Sequence, residues 1–185
     1  MKRRDHAPTK NLDYDPIQLN WIIVWKAPVV MLHFAYGANM HCDVMRRHAE
    51  AAQPIGAAAL ADHRFIITAD GYASVAPALA RTVHGVLWRI TPRDRVTLDA
   101  WENVAGKLYR AEILPVRHAG RLRPALVYVA RPSRTGQPKA GYMELVVAAA
   151  RAWQLPSDYI SSLQHWLPRG PVGAGSRKLG DIAWT

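Results

Sequence analysis

Residues 82–94 read Thr-Val-His-Gly-Val-Leu-Trp-Arg-Ile-Thr-Pro-Arg-Asp. The first nine are dominated by β-branched, aromatic and aliphatic side chains, which predicts a strand over 82–90. The next four predict a helix start. Thr91 caps, Pro92 takes the first helical position, and Asp94 completes a capping-box pattern. Val96, Leu98 and Trp101 supply an apolar surface, so the helix is expected to run to about Asn103.

The flanking chain extends the pattern. Residues 32–36 (Leu-His-Phe-Ala-Tyr) form an aromatic-rich strand, broken by Gly37, Ala38 and Asn39. Residues 40–49 predict a helix with Met40, Val44 and Met45 on one side. Between Gly56 and Pro77 the sequence predicts strands with hairpin turns at Asp62–His63 and Asp70–Gly71. Two further strands, 109–117 and 125–130, are joined by a turn at Gly120. Helices follow over 141–154 and from Pro156 towards Leu167. Strands and helices do not alternate regularly, which argues against a doubly wound parallel sheet. A mixed α+β domain around a curled sheet or small barrel is expected over 31–168. Residues 1–30 are expected to be a poorly ordered or misannotated extension, and 169–185, rich in glycine, a C-terminal tail.

Composition narrows the function classes. The chain has 185 residues, half of them hydrophobic and 21% charged, an ordinary globular balance. The single cysteine, Cys42, forms no internal disulfide, which leans towards a reducing cytoplasm. The net charge is +10 and is spread through the body, a field that attracts anions. The arginines are scattered, without the aromatic interleaving of a nucleic-acid stripe, so nucleic acid is not the expected partner. The apolar run 21–36 is interrupted by Lys26, Pro28 and His33 and is too short to span a membrane. His41, Cys42 and His48 lie close in sequence, but a solvated helix face with a packed cysteine is the preferred reading over a metal site.

Two segments carry potential chemistry. A strand ends at Tyr36, and Gly37-Ala38-Asn39-Met40 leads into a helix, an arrangement that aims backbone N–H groups outward as an anion or oxyanion cradle. Gly37 and Asn39 tolerate unusual backbone angles there. The second segment is Leu98-Asp99-Ala100-Trp101-Glu102-Asn103. A carboxylate at the end of a capped helix, beside a bulky Trp101, can have a raised pKa and act as general acid/base. Trp88 and Trp101 themselves are read as core residues.

These segments together resemble the γ-glutamylcyclotransferase-like (AIG2-like) family. Tyr36-Gly-Ala-Asn-Met40 is similar to its Tyr-Gly-Ser-Asn loop, and residues 83–88 to the strand before its catalytic helix. Leu98-Asp99-x-x-Glu102 is similar to its Leu-Asp-x-x-Glu motif. Tyr109 stands where the family places a substrate-contacting tyrosine. The resemblance covers about residues 31–168. It implies a small mixed β-barrel with flanking helices. It also implies conversion of a γ-glutamyl amide or peptide to 5-oxoproline with release of the amine, without metal or organic cofactor. Glu102 would be the general acid/base, Tyr36, Gly37, Ala38, Asn39 and Met40 would hold the glutamyl end, and Tyr109 would place its hydroxyl near Glu102 or the substrate. Two positions depart from the family pattern. Ala38 replaces the usual serine, which removes a hydroxyl but keeps the backbone donor, and Asn103 stands where many relatives have glycine. A non-catalytic glutamyl-binding member of the same fold is the alternative, with a basic nucleic-acid-binding module behind it.

Overall fold

The computed structural model describes residues 31–131 and 134–168. The expected N-terminal extension over 1–30 and C-terminal tail over 169–185 lie outside the described residues. Five strands, β1 (Met31–Ala35), β2 (Gln53–Ile67), β3 (Ala73–Ile90), β4 (Tyr109–His118) and β5 (Arg121–Ala130), form a closed barrel in the order β1-β3-β2-β4-β5. Helices α1 (Cys42–His48), α2 (Pro92–Trp101), α3 (Tyr142–Ala152) and α4 (Ser157–Gln164) flank it. The sheet is mixed. β1 runs antiparallel to β3 and closes the barrel through a parallel bridge to β5, His33 opposite Leu126. The expected mixed barrel with flanking helices is therefore the fold.

Residues 82–90 form the second half of the 18-residue β3, with Val83, Val86, Leu87, Trp88 and Ile90 all buried. The capping box follows as expected. Asp94 N–H donates to Thr91 Oγ1 at 3.1 Å, and Asp94 Oδ2 accepts from Thr91 N–H at 2.8 Å. The other oxygen, Oδ1, accepts from Ala51 N–H at 3.1 Å, which ties the start of α2 to the connection between α1 and β2. Asp94 is buried, so removing it strands these donors. Asp94→Ala is expected to lower stability by about 2 kcal/mol, read as a lower denaturant midpoint with unchanged slope. Asp94→Asn, which keeps one acceptor oxygen, should lose less.

The β2–β3 region corrects one expectation. Asp70–Gly71 turns the chain, but Asp62–His63 does not. There β2 continues through a bulge, its pairing jumping from Ala61↔Thr82 to His63↔Pro77. Asp62 takes a φ of 54° and Ala80, across from it, 58°. Asp62 Oδ1 accepts the Ala80 N–H at 3.0 Å. The conformation that a turn would use is absorbed by a two-sided irregularity that bends the hairpin around the barrel.

Strand β5 likewise starts earlier than expected, at Arg121, and includes Pro124. Pro124 lies opposite Pro115 in β4. Two facing prolines fit only a non-hydrogen-bonded pair, so the β4–β5 ladder needs neither missing N–H. At the other end of the first predicted helix, residues 38–40 form a separate 3-10 turn and α1 starts only at Cys42, capped by the His41 ring, which accepts from Asp43 N–H. Helix α3 buries seven of its residues against the barrel and begins after Gly141, whose φ of 79° suits glycine.

Candidate active site

The end of β1, the 3-10 turn, the end of α2, and strands β3, β4 and β5 surround a cavity of about 410 Å³. That is within the range of about 300–1,000 Å³ usual for small-ligand sites. Tyr36, Gly37, Ala38, Asn39, Glu102 and Tyr109 all line it. These side chains come from segments 63 or more residues apart, so the barrel alone brings the turn and the carboxylate together.

Met40 does not line the cavity. It is fully buried in the core. Its amide closes the 3-10 turn on Gly37 O at 3.0 Å, and its carbonyl accepts from Trp153 Nε1 at 2.8 Å. Met40 therefore anchors the turn between barrel and α3. The His41 amide is likewise spent on Ala38 O. The amides of Gly37, Ala38 and Asn39 precede the first bond of the turn and have no acceptor inside it.

Gly37 is needed for close approach rather than for an unusual φ. Its φ is −115°, and Asn39 is not among the positive-φ residues. A Cβ at Gly37 would stand 2.7 Å from the Tyr142 hydroxyl and 3.1 Å from Ala73 Cβ. Tyr142 OH in turn accepts from Ala73 N–H at 3.2 Å, and Tyr109 OH donates to Ala73 O at 2.8 Å. The two tyrosines thus clamp the Ala73 peptide against the turn.

The Leu98-Asp99-x-x-Glu102 spacing has a physical role at each position. Leu98 is fully buried beneath α2. Asp99 Oδ1 accepts from Tyr128 OH at 2.6 Å and from Arg95 Nε at 2.7 Å, which pins the last turn of the helix to β5. Tyr128 also accepts, at its carbonyl, the hydroxyl of Tyr36. Glu102 caps the C-terminus of α2, its amide bonded to Leu98 O at 2.8 Å. Its Oε1 accepts from Asn39 Nδ2 at 2.9 Å. Burial pushes the Glu102 carboxyl up from 4.5 to about 7, opposed in part by the Asn39 bond. Tyr36, Tyr109, Tyr128 and Tyr142 all feel its charge, and burial raises each above the ordinary tyrosine value. The carboxylate is thus the titrating group within a ring of neutral phenols. His33, below Tyr128, is pushed down to about 4 by burial and stays neutral.

Asn103, the departure from glycine after Glu102, has a φ of 48°, and its Oδ1 accepts from Gly106 N–H at 3.1 Å. Asparagine is one of the few residues other than glycine that adopts this region readily. Asn103→Gly is expected to stay within about 0.5 kcal/mol of the parent stability, whereas Asn103→Ala should cost about 1–2 kcal/mol; thermal melting of the pair checks this.

Tyr128, Tyr142, Asp70, Tyr72 and Lys139 share the cavity wall and are not legible as site residues in the sequence. The tyrosine content of β5 and α3 was visible, but nothing local shows that those side chains converge. Trp101 is half-buried on the cavity wall, its ring region stacked on His48 at 3.7 Å, rather than in the core like Trp88. His41 is occupied as the α1 cap and His48 by that stack.

The fold is that of the γ-glutamylcyclotransferase-like barrels. A solved gamma-glutamyl cyclotransferase superposes with a TM-score of 0.73 at 21% identity, over 82% of this chain and 96% of that one. YkqA from Bacillus subtilis matches with a TM-score of 0.68 at 25% identity, over 78% of this chain and 58% of that one. A yeast gamma-glutamyl cyclotransferase specific to glutathione matches with a TM-score of 0.53 at 12% identity, over 74% of this chain and 95% of that one. The chain is similar in sequence to the AIG2-like family, whose model matches residues 82–163. That span holds Glu102 and Tyr109 but not the 36–40 segment. No curated protein matches the sequence. No helix among the described residues is long and apolar enough to cross a membrane.

Proposed function

We propose that this chain is a γ-glutamylcyclotransferase-like enzyme that cyclises a γ-glutamyl amide or peptide to 5-oxoproline and releases the amine. The observation that carries the reading is the Glu102 carboxylate, raised to about 7 and bonded to Asn39, on the same cavity as the Tyr36–Asn39 turn. Glu102 takes a proton from the substrate's α-ammonium. The freed amine attacks its own γ-carbonyl, forming the ring C–N bond. The amide C–N bond to the leaving nitrogen breaks as Glu102 returns the proton to that nitrogen, and the second proton shed by the attacking nitrogen passes to the released amine, which leaves as an ammonium ion. No other reactant enters. The amides of the 37–39 turn face the carbonyl oxygen, where donors stabilise developing negative charge. Attack within one molecule leaves the protein mainly the task of folding the substrate into a ring-closing pose.

The test is release of 5-oxoproline from a panel of γ-glutamyl amines, γ-glutamyl dipeptides and glutathione, the last included because of the yeast neighbour. Product from the parent chain and none from Glu102→Gln supports the reading. Saturable binding of a γ-glutamyl compound without product replaces it with a binding role, a reading that the missing hydroxyl at Ala38 favours.

A further inference from the structure

Three charged side chains line the cavity among the described residues: Glu102, Asp70 and Lys139. Glu102 is assigned above to the reacting nitrogen. Lys139 is then the one cation on the wall, and its placement is built rather than incidental. The 134–141 segment docks on the tip of the β2–β3 hairpin through a bridge between Thr68 and Thr135 and through Gly136 N–H to Ile67 O at 2.9 Å. Lys139 N–H donates to Gly71 O at 3.1 Å. A Cβ at Gly71 would come within 2.9 Å of Lys139 Cγ, so the glycine leaves room for the lysine stem. The ammonium rests 4.6 Å over the Tyr72 ring. No carboxylate among the described residues forms an ion pair with it. A cation on an aromatic face keeps its position while its N–H donors remain open to an anion.

The order of residues gives the direction. Gly37 abuts the Tyr142 hydroxyl, the Tyr142 ring meets the Tyr72 ring edge-on at 5.5 Å, and Tyr72 carries Lys139. Exposure rises along this row, from buried Tyr142 through half-buried Tyr72 to exposed Lys139. Lys139 therefore sits two rings outward from the turn that faces the γ-carbonyl. Substrate atoms at that distance lie beyond the carbonyl, on the departing amine.

We propose that Lys139 is a specificity residue that binds the carboxylate of the departing amino acid or peptide, so that γ-glutamyl peptides are preferred over γ-glutamyl amines. This inference rests on the cyclotransferase reading above. A matched pair tests it: γ-glutamylalanine and γ-glutamylethylamide differ by that one carboxylate. Lys139→Met, an exposed change, is compared with the parent chain for 5-oxoproline release, with binding to the Glu102→Gln chain measured in parallel. The expected result is a KM about fivefold higher for γ-glutamylalanine, little change for γ-glutamylethylamide, and restoration by Lys139→Arg. The parent's preference should also shrink as salt is raised. Equal losses on both substrates would assign Lys139 to the glutamyl end and overturn the inference, as would no loss on either. If the parent releases no product, the cyclotransferase reading fails by itself. The binding arm then decides the inference: tighter binding of γ-glutamylalanine that depends on Lys139 supports it, and equal binding of the pair overturns it.

Discussion

Glu102→Gln is expected to reduce 5-oxoproline formation by about 10²–10⁴-fold, the usual worth of a positioned acid/base group, while leaving the fold intact. Glutamine keeps the size of the side chain and an oxygen for the Asn39 Nδ2 donor that now bonds Glu102. What it loses is the proton exchange. In the parent chain the rate should rise with pH as the carboxyl ionises around 7, because only the carboxylate accepts the proton of the α-ammonium. The variant should lack that limb.

The same shift has a stability consequence of definite sign. The folded carboxyl is raised from 4.5 to about 7, so folding favours its protonated form. Below pH 4.5 both states hold the proton and there is no cost. As pH rises from 4.5 to about 7 the unfolded chain gives up the proton that the folded chain still holds, so stability is lost across that interval, and above it the folded state bears a poorly solvated charge. Glu102→Gln removes that charge. It should match the parent near pH 4 and exceed it by about 1–3 kcal/mol at pH 8. Denaturant titrations at the two pH values check this, and a variant equally stable or less stable at pH 8 would contradict the burial of the charge. A gain in stability with loss of turnover is the pattern of a group kept for its chemistry.

The second large effect is expected at Gly85. This glycine lies in β3 where the end of β1 crosses it. A Cβ there would overlap the Ala35 carbonyl oxygen and stand 2.9 Å from two ring carbons of Phe34. Phe34 is fully buried, and the Ala35 carbonyl belongs to the backbone of β1 and cannot rotate away as a side chain would. Gly85→Ala therefore has to displace β1 itself. The expected cost is about 3 kcal/mol or more, at or beyond the upper end of overpacking effects. Because β1 leads directly into Tyr36 and Gly37, the displacement should also disturb the cavity wall. Two readouts separate these effects: the melting temperature reports the packing cost, and 5-oxoproline release well below it reports the turn. A fully stable Gly85→Ala chain would contradict the close approach of β1 and β3.

How far the site was legible in sequence follows from the range of each interaction. The capping box at Thr91 and Asp94 was readable because its partners lie three residues apart. The Leu98-Asp99-x-x-Glu102 spacing was readable as a motif, but the task of Asp99 was not, since its partner Tyr128 is 29 residues away. The sequence around Asn39 shows its backbone freedom, whereas its side chain reaches Glu102 across 63 residues. Asp62 looked like a turn because aspartate tolerates positive φ. Whether the chain reverses or only bulges there depends on Ala80 in the opposing strand, and no local signal carries that. Met40 belongs to the segment that resembles the family's binding loop, but it is fully buried and its carbonyl is held by Trp153, so it serves the core.

The sequence by itself determined the elements, the mixed class and the short-range devices, because propensity, hydrophobic period and capping act within a few residues. Only the tertiary structure decided that β1 closes the barrel on β5, that four tyrosines surround one carboxylate, and that Lys139 stands on Tyr72 at the outer wall. Those outcomes depend on solvent exclusion and on contacts between distant segments. Burial, which lifts the Glu102 carboxyl to about 7, is a property of the assembled cavity and of no stretch of chain alone.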